Sequence, residues 1–154
     1  MNNSSNVKKT LFHWSVYTEI EINATKEMVW KFLTDFDTMP NWSTSLQKIE
    51  GDFHEGGTTN VFYLFRGKVI KFKATMIDFE NGTQFGWSEP TIPLAKDRHF
   101  YRLESLPNGK TKFIQSDEIK GFSALFIGKM IAETMVHNFT IFNNDLKEQI
   151  EKLT

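Results

Sequence analysis

Four polar side chains stand out as capable of chemistry. His99 and Tyr101 lie two residues apart, as do Gln115 and Asp117, and each pair sits in a run where apolar and polar residues alternate. On an extended chain that spacing puts both members of a pair on one face. If the two runs are neighbouring strands, a histidine beside an aspartate can act as a general base. A tyrosine hydroxyl can polarise a carbonyl, and an aldol-type cyclisation needs both groups. His99, Tyr101 and Asp117 are therefore the candidate catalytic residues. The same groups can equally form a satisfied, buried hydrogen-bond network with no chemistry. Both readings stand at this level. His13, His54 and His137 lack such company and read as surface histidines.

Other chemistries find no support. The chain has no cysteine, which excludes disulfides, thiolate nucleophiles and Cys-ligated zinc. It has no zinc-protease helix motif, no phosphate-binding glycine loop and no Gly-x-Ser-x-Gly elbow, so neither a metal nor a cofactor is expected. Lysine and arginine total 18 against 19 acidic residues, a net charge of −1, and the two signs are interspersed. That balance argues against nucleic acid as a partner. Lys68, Lys71 and Lys73 alternate with aromatic neighbours such as Phe72, but acids in adjoining segments make them a solvated sheet face.

The elements that must position the four polar residues follow from periodicity. Residues 1–10 are polar, lack the apolar core of a signal peptide and read as a flexible tail; 11–154 read as one domain. Residues 12–22 alternate as a half-buried strand. Thr25 is placed to cap a short helix carrying Met28, Val29, Phe32 and Leu33, and a second short turn follows over 37–42. From 46 to 121 strand signals recur between turns at 54–57, Arg66-Gly67, Asn81-Gly82, 90–95 and 107–109. The final stretch, 123–153, contains no proline and one glycine and reads as a single helix of about 45 Å. Its most apolar part, 122–136, is too short to span a bilayer and carries Lys129 and Glu133, so no integral membrane segment and a cytoplasmic protein are expected. Uninterrupted strand-to-strand turns followed by a helix indicate an α+β architecture.

Alternation also assigns faces. A two-residue turn at Arg66-Gly67 pairs Tyr63 with Ile70 and Val61 with Phe72, which sets Tyr63, Phe72 and Met76 on the inner face. Phe85 and Trp87 point inward together. His99, Tyr101 and Leu103 lie opposite Arg98 and Arg102, and Phe113, Gln115, Asp117 and Ile119 lie opposite Lys112 and Lys120. Polar groups therefore enter the interior.

The string Ile20-Glu21-Ile22-Asn23-Ala24-Thr25-Lys26-Glu27-Met28-Val29-Trp30-Lys31-Phe32-Leu33-Thr34-Asp35-Phe36, followed by Pro40-Asn41-Trp42, resembles the opening of START-like (SRPBCC) domains. It is most similar to the polyketide cyclase/dehydrase and lipid transport branch. Further matches are Gly56-Gly57, His99-Phe100-Tyr101-Arg102-Leu103-Glu104, Gly109-Lys110-Thr111, Glu118-Ile119-Lys120-Gly121 and Asn144-Asp145-Leu146-Lys147. The resemblance covers nearly the whole chain. It implies a helix-grip fold: a curved antiparallel sheet of about seven strands and two short helices, wrapped around a long C-terminal helix over a cavity. The fold hosts lipid carriers, hormone receptors, aromatic cyclases and oxygenase subunits, so function must come from the site. No iron-sulfur ligand pattern or 2-His-1-carboxylate set is present, and the inward faces offer no arginine for a cyclase.

On the helical wheel Leu125, Gly128, Ile131, Ala132, Met135, Phe139, Phe142 and Leu146 share the side that faces the sheet. Gly128 and Ala132 are small for such positions, so the helix there either roofs a cavity or sits close to the sheet. A cavity would be lined by Trp42, Tyr63, Phe72, Met76 and Trp87 from the sheet side, and by Gly128, Ile131, Ala132 and Met135 from the helix. His99, Tyr101, Gln115 and Asp117 would form its polar end. The expected partner is a small hydrophobic ligand, lipid-like or aromatic. Phe126, Met130 and His137 fall on the opposite side, where loops, a second copy in a homodimer, another protein or a membrane surface can cover them.

Overall fold

A computed structural model describes the backbone of residues 3–65, 67–92 and 95–153, and the side-chain surroundings of these except 3, 65, 90–92, 127 and 128. Eight strands form one sheet: β1 (Asn3–Thr10), β2 (His13–Ile22), β3 (Leu46–Gly51), β4 (Thr58–Phe65), β5 (Lys68–Glu80), β6 (Gln84–Ile92), β7 (Ala95–Ser105) and β8 (Thr111–Gly121). Helix α1 (Lys26–Leu33) and a 3-10 turn (Met39–Asn41) lie between β2 and β3, and α2 (Ala124–Glu151) closes the chain. The sheet order is β1-β2-β8-β7-β6-β5-β4-β3, every neighbouring pair antiparallel. Hairpins account for this order except at the β2–β8 seam, where the ends of the chain meet.

Period-two alternation decides which face is buried. In β2 every even residue from Trp14 to Ile22 is buried, and β7 and β8 follow the same rule. The β4–β5 hairpin pairs Val61 with Phe72 and Tyr63 with Ile70, the register expected from a two-residue turn. Gly86, between the inward Phe85 and Trp87, lets β6 approach β7: a Cβ there would lie 2.4 Å from the His99 carbonyl oxygen and 2.6 Å from the Phe100 ring. Thr25 caps α1 by accepting from the Met28 N–H at 3.4 Å, with Glu27 in the first turn and Lys31 in the last, the signs the helix dipole favours.

The sequence-based expectations differ from the structure at three places. Residues 3–10 form β1 instead of a flexible tail, giving eight strands where about seven were expected. The strand carries no hydrophobic signal because its side chains are exposed; backbone pairing with the edge of β2, through a two-residue turn at Leu11 and Phe12, holds it. The break expected over 90–95 is shorter, because β6 runs on to Ile92 and β7 begins at Ala95. Leu125 is exposed rather than turned to the sheet, since α2 is only starting there.

Two apolar clusters divide the interior. The larger gathers Ile20, Ile22, Leu33, Phe85, Tyr101, Phe113, Phe142, Leu146 and Ile150; the smaller gathers Trp14, Val16, Ile119, Ala124, Ala132 and Phe139. The buried face of α2 steps through Ala132, Phe139, Asn143, Leu146 and Ile150 at helical spacing. Among the described residues no helix is long and apolar enough to cross a membrane.

Candidate functional site

Between the two clusters the helix and the sheet border a cavity of about 470 Å³ that opens to solvent past Met130 and Ile70. Its floor is laid by strand register. Trp87, His99 and Asp117 stand opposite one another on β6, β7 and β8, and Glu89 stands opposite Asp97 one step along. Tyr63, Ile70 and Phe72 from the β4–β5 hairpin form one wall. Helix α2 forms the roof with Met130, Ile131, Thr134, Met135, Asn138 and Phe139.

The predicted polar residues converge in one network. Asp117 Oδ2 lies 3.0 Å from His99 Nδ1, and Gln115 Nε2 lies 3.2 Å from His99 Nε2 and 3.3 Å from the Tyr101 hydroxyl. With the Gln115 amide donating to Nε2, a neutral imidazole carries its proton on Nδ1 and donates it to Asp117. Burial pushes His99 down to about 3, partly opposed by the Asp97 charge, so the ring is neutral near pH 7. The indole of Trp87 stacks on that ring at 4.3 Å and Phe139 meets it edge-on at 4.9 Å. The basic nitrogen is therefore already occupied by the Gln115 amide, and the ring is flanked on two sides by aromatic rings.

The acids at this end are buried as well. Burial raises Glu89 to about 8, reinforced by the Asp97 charge. Burial also raises Asp117 to about 7, against the lowering effect of a hydrogen bond shared with Asp97. Burial lifts the Tyr63 hydroxyl to about 12, so it remains a neutral donor. Among the described residues, no group of three His, Asp or Glu side chains is placed to hold a metal ion.

Of the residues expected to line a ligand site, Tyr63, Phe72, Trp87, His99, Asp117, Ile131 and Met135 line this cavity. Tyr101 and Gln115 lie beneath its floor, joined to it through His99. Met76 is core, paired across the sheet with Trp87. Trp42 packs at 5.2 Å on Phe32 and 5.5 Å on Phe142, away from the cavity. Ala132 is buried in the smaller cluster with Trp14 and Ile119, where its small side chain brings helix and sheet close. Gly128 falls outside the residues whose surroundings are described. Met130, assigned by the wheel to the outer side, rims the cavity while remaining 64% exposed. Phe126 is 73% exposed and meets Phe122 edge-on at 5.8 Å, and Phe122 stacks on Phe12 at 6.3 Å.

Glu89 and Asp97 were missed. Each extends an inward alternation by one step, Phe85-Trp87-Glu89 and Tyr101-His99-Asp97, but charged residues beside Pro90 look like a turn. Thr134, Asn138 and Phe139 were available from the wheel as neighbours of Ile131 and Met135.

Solved structures share this architecture. An aromatase/cyclase from a Streptomyces species matches with a TM-score of 0.71 at 14% identity, over 91% of this chain and 94% of its own. A START superfamily protein from Mycobacterium smegmatis matches at 0.70 and 15%, over 91% and 99%. A protein of unknown function from Staphylococcus aureus matches at 0.65 and 18%, over 98% and 96%. Among curated proteins none matches in sequence. At these identities the structures establish the fold alone. The family model described as polyketide cyclase/dehydrase and lipid transport matches residues 13–151, nearly the whole chain, and the protein belongs to that family.

Proposed function

We propose that the protein binds a small, mainly apolar ligand between the sheet and the first half of α2. The observation that carries this reading is the cavity itself. Its volume of about 470 Å³ falls within the range of small-molecule sites. Trp87, Phe72, Ile131, Met135 and Phe139 supply apolar walls, and polar side chains gather mainly at the end where Glu89, Asp97 and Asp117 stand. Flat and flexible apolar side chains of this kind suit a lipid-like or aromatic body.

Binding is favoured over turnover by the state of His99. A cyclase or dehydrase step through this residue needs a basic nitrogen within reach of the ligand. Here Nε2 accepts from Gln115 and both ring neighbours, Trp87 and Phe139, cover the imidazole. The His99–Asp117 pair then serves to hold the floor of the cavity in one geometry.

Native mass spectrometry of the protein purified from its own host tests the reading. A copurifying small molecule in one-to-one ratio is expected. The absence of any adduct, together with no binding of apolar compounds added in vitro, would remove it.

A further inference from the structure

Three acids, Glu89, Asp97 and Asp117, line one end of the cavity. Glu89 is 8% exposed, lines the cavity, and has no hydrogen-bond or ion-pair partner among the described residues. Asp117 differs, being engaged by His99 and by Asp97. Glu89 is thus a largely buried, unpartnered carboxyl offered to whatever occupies the cavity. A buried carboxylate without a partner is costly, so the group stays protonated until a positive charge arrives. A bare metal ion does not fit, because the acids are not arranged to hold one. The apolar walls call instead for a cation that carries a hydrocarbon body.

We infer that the ligand is an amphiphilic amine, its ammonium group seated against Glu89 and its apolar body lying along Trp87, Phe72, Ile131 and Met135. This rests on the cavity being the binding site. An ammonium ion meets opposite charge here and can replace its lost hydration with hydrogen bonds to a carboxylate. An alcohol gains only a neutral hydrogen bond. A fatty carboxylate meets no opposite charge here and lies near the Asp97 charge, so it is disfavoured.

Seating an ammonium requires Glu89 to release its proton, so amine affinity rises with pH up to about 8, where Glu89 ionises in the empty protein. The other titratable groups at the cavity are Asp97 and Asp117 on the floor, His99 between them, Tyr63 on the wall and Lys71 at the hairpin. His99 and Tyr63 stay neutral through this range. The Lys71 ammonium sits 5.2 Å above the Phe62 ring on the outer side.

Calorimetric titration with n-decylamine, n-decanol and n-decanoate at pH 6.5, 7.5 and 8.5 tests the inference. Decylamine is expected to bind at least tenfold more tightly than decanol, with decanoate weakest. Its affinity should climb across the series while that of decanol stays level. Glu89→Gln should cost decylamine at least tenfold and leave decanol unchanged. Equal binding of the three, an amine preference that survives Glu89→Gln, or a pH-independent ratio of amine to alcohol in the native protein overturns it while leaving cavity binding intact. Binding of none of the three overturns both.

Discussion

Along α2, Phe142, Leu146 and Ile150 are fully buried against the sheet, whereas Met130, Ile131, Thr134, Met135 and Asn138 face Trp87, His99 and Glu89 across open space. In the first region Phe142 lies 5.5 Å from Tyr101, 6.1 Å from Phe113 and 5.5 Å from Trp42. The same stretch is tied by polar contacts to other elements: Asn143 donates to Thr18 at 3.0 Å, Lys147 to the Glu21 carbonyl at 2.8 Å, and Thr44 to Asp145 at 2.6 Å. The region over the cavity has no comparable tie among the described residues; Thr134 bonds within its own helix and Lys129 pairs with Glu133 on the surface. One half of the helix anchors, and that anchorage lets the other half stand off from the sheet. Polar groups follow the same division. In the packed half, polar side chains of the helix bond with β2 and with Thr44, while at the hollow half Glu89 faces space.

The largest expected effect lies in the packed half. Phe142→Ala removes a fully buried ring from three aromatic neighbours and should destabilise by about 3–5 kcal/mol in urea denaturation. A loss under about 1 kcal/mol would mean that this half is not close-packed and would break the contrast.

A smaller effect separates the halves by charge. Above pH 6.5 an unfolded chain has both carboxyls ionised, whereas the folded protein keeps protons on Asp117 to about 7 and on Glu89 to about 8. Unfolding then releases protons, so stability should fall as pH rises from 6.5 to 8.5, by on the order of 2 kcal/mol. His99 opposes this slope only weakly: the folded ring is neutral throughout, and the unfolded imidazole, half protonated at 6.5, loses its proton by about 7.5. Glu89→Gln should flatten most of the slope. A profile unchanged by that substitution would place the titrating group elsewhere.

The smallest effect is at the cavity roof. Met135 is only half-buried and already borders open space, so Met135→Ala should cost no more than about 1 kcal/mol by denaturation, well short of Phe142→Ala. Equal costs at the two positions would erase the distinction between anchor and roof.

Strand faces were legible because period two survives burial: Trp14 to Ile22, His99 to Leu103 and Phe113 to Ile119 all face as alternation assigns them. The convergence of His99, Tyr101, Gln115 and Asp117 was legible for the same reason. Strand β1 was not, because a strand held mainly by backbone pairing, with its side chains exposed, leaves little trace in side-chain pattern. Nor was the meaning of the small residues in α2. Ala132 reports how closely helix and sheet meet at one point, but the void beside it arises where β4–β5, β6–β8 and α2 meet, a non-local matter of packing. Glu89 and Asp97 were hidden because a charge near a proline resembles a turn, although it continues an inward face.

The most direct test is fluorescence titration with N-phenyl-1-naphthylamine, a neutral apolar probe, of the native protein and an Ile131→Trp variant that fills the cavity from its roof. The account predicts saturable one-to-one binding to the native protein, weakened at least tenfold in a variant whose urea midpoint is unchanged or raised. No saturable binding to the native protein, or undiminished binding in the variant, would contradict it.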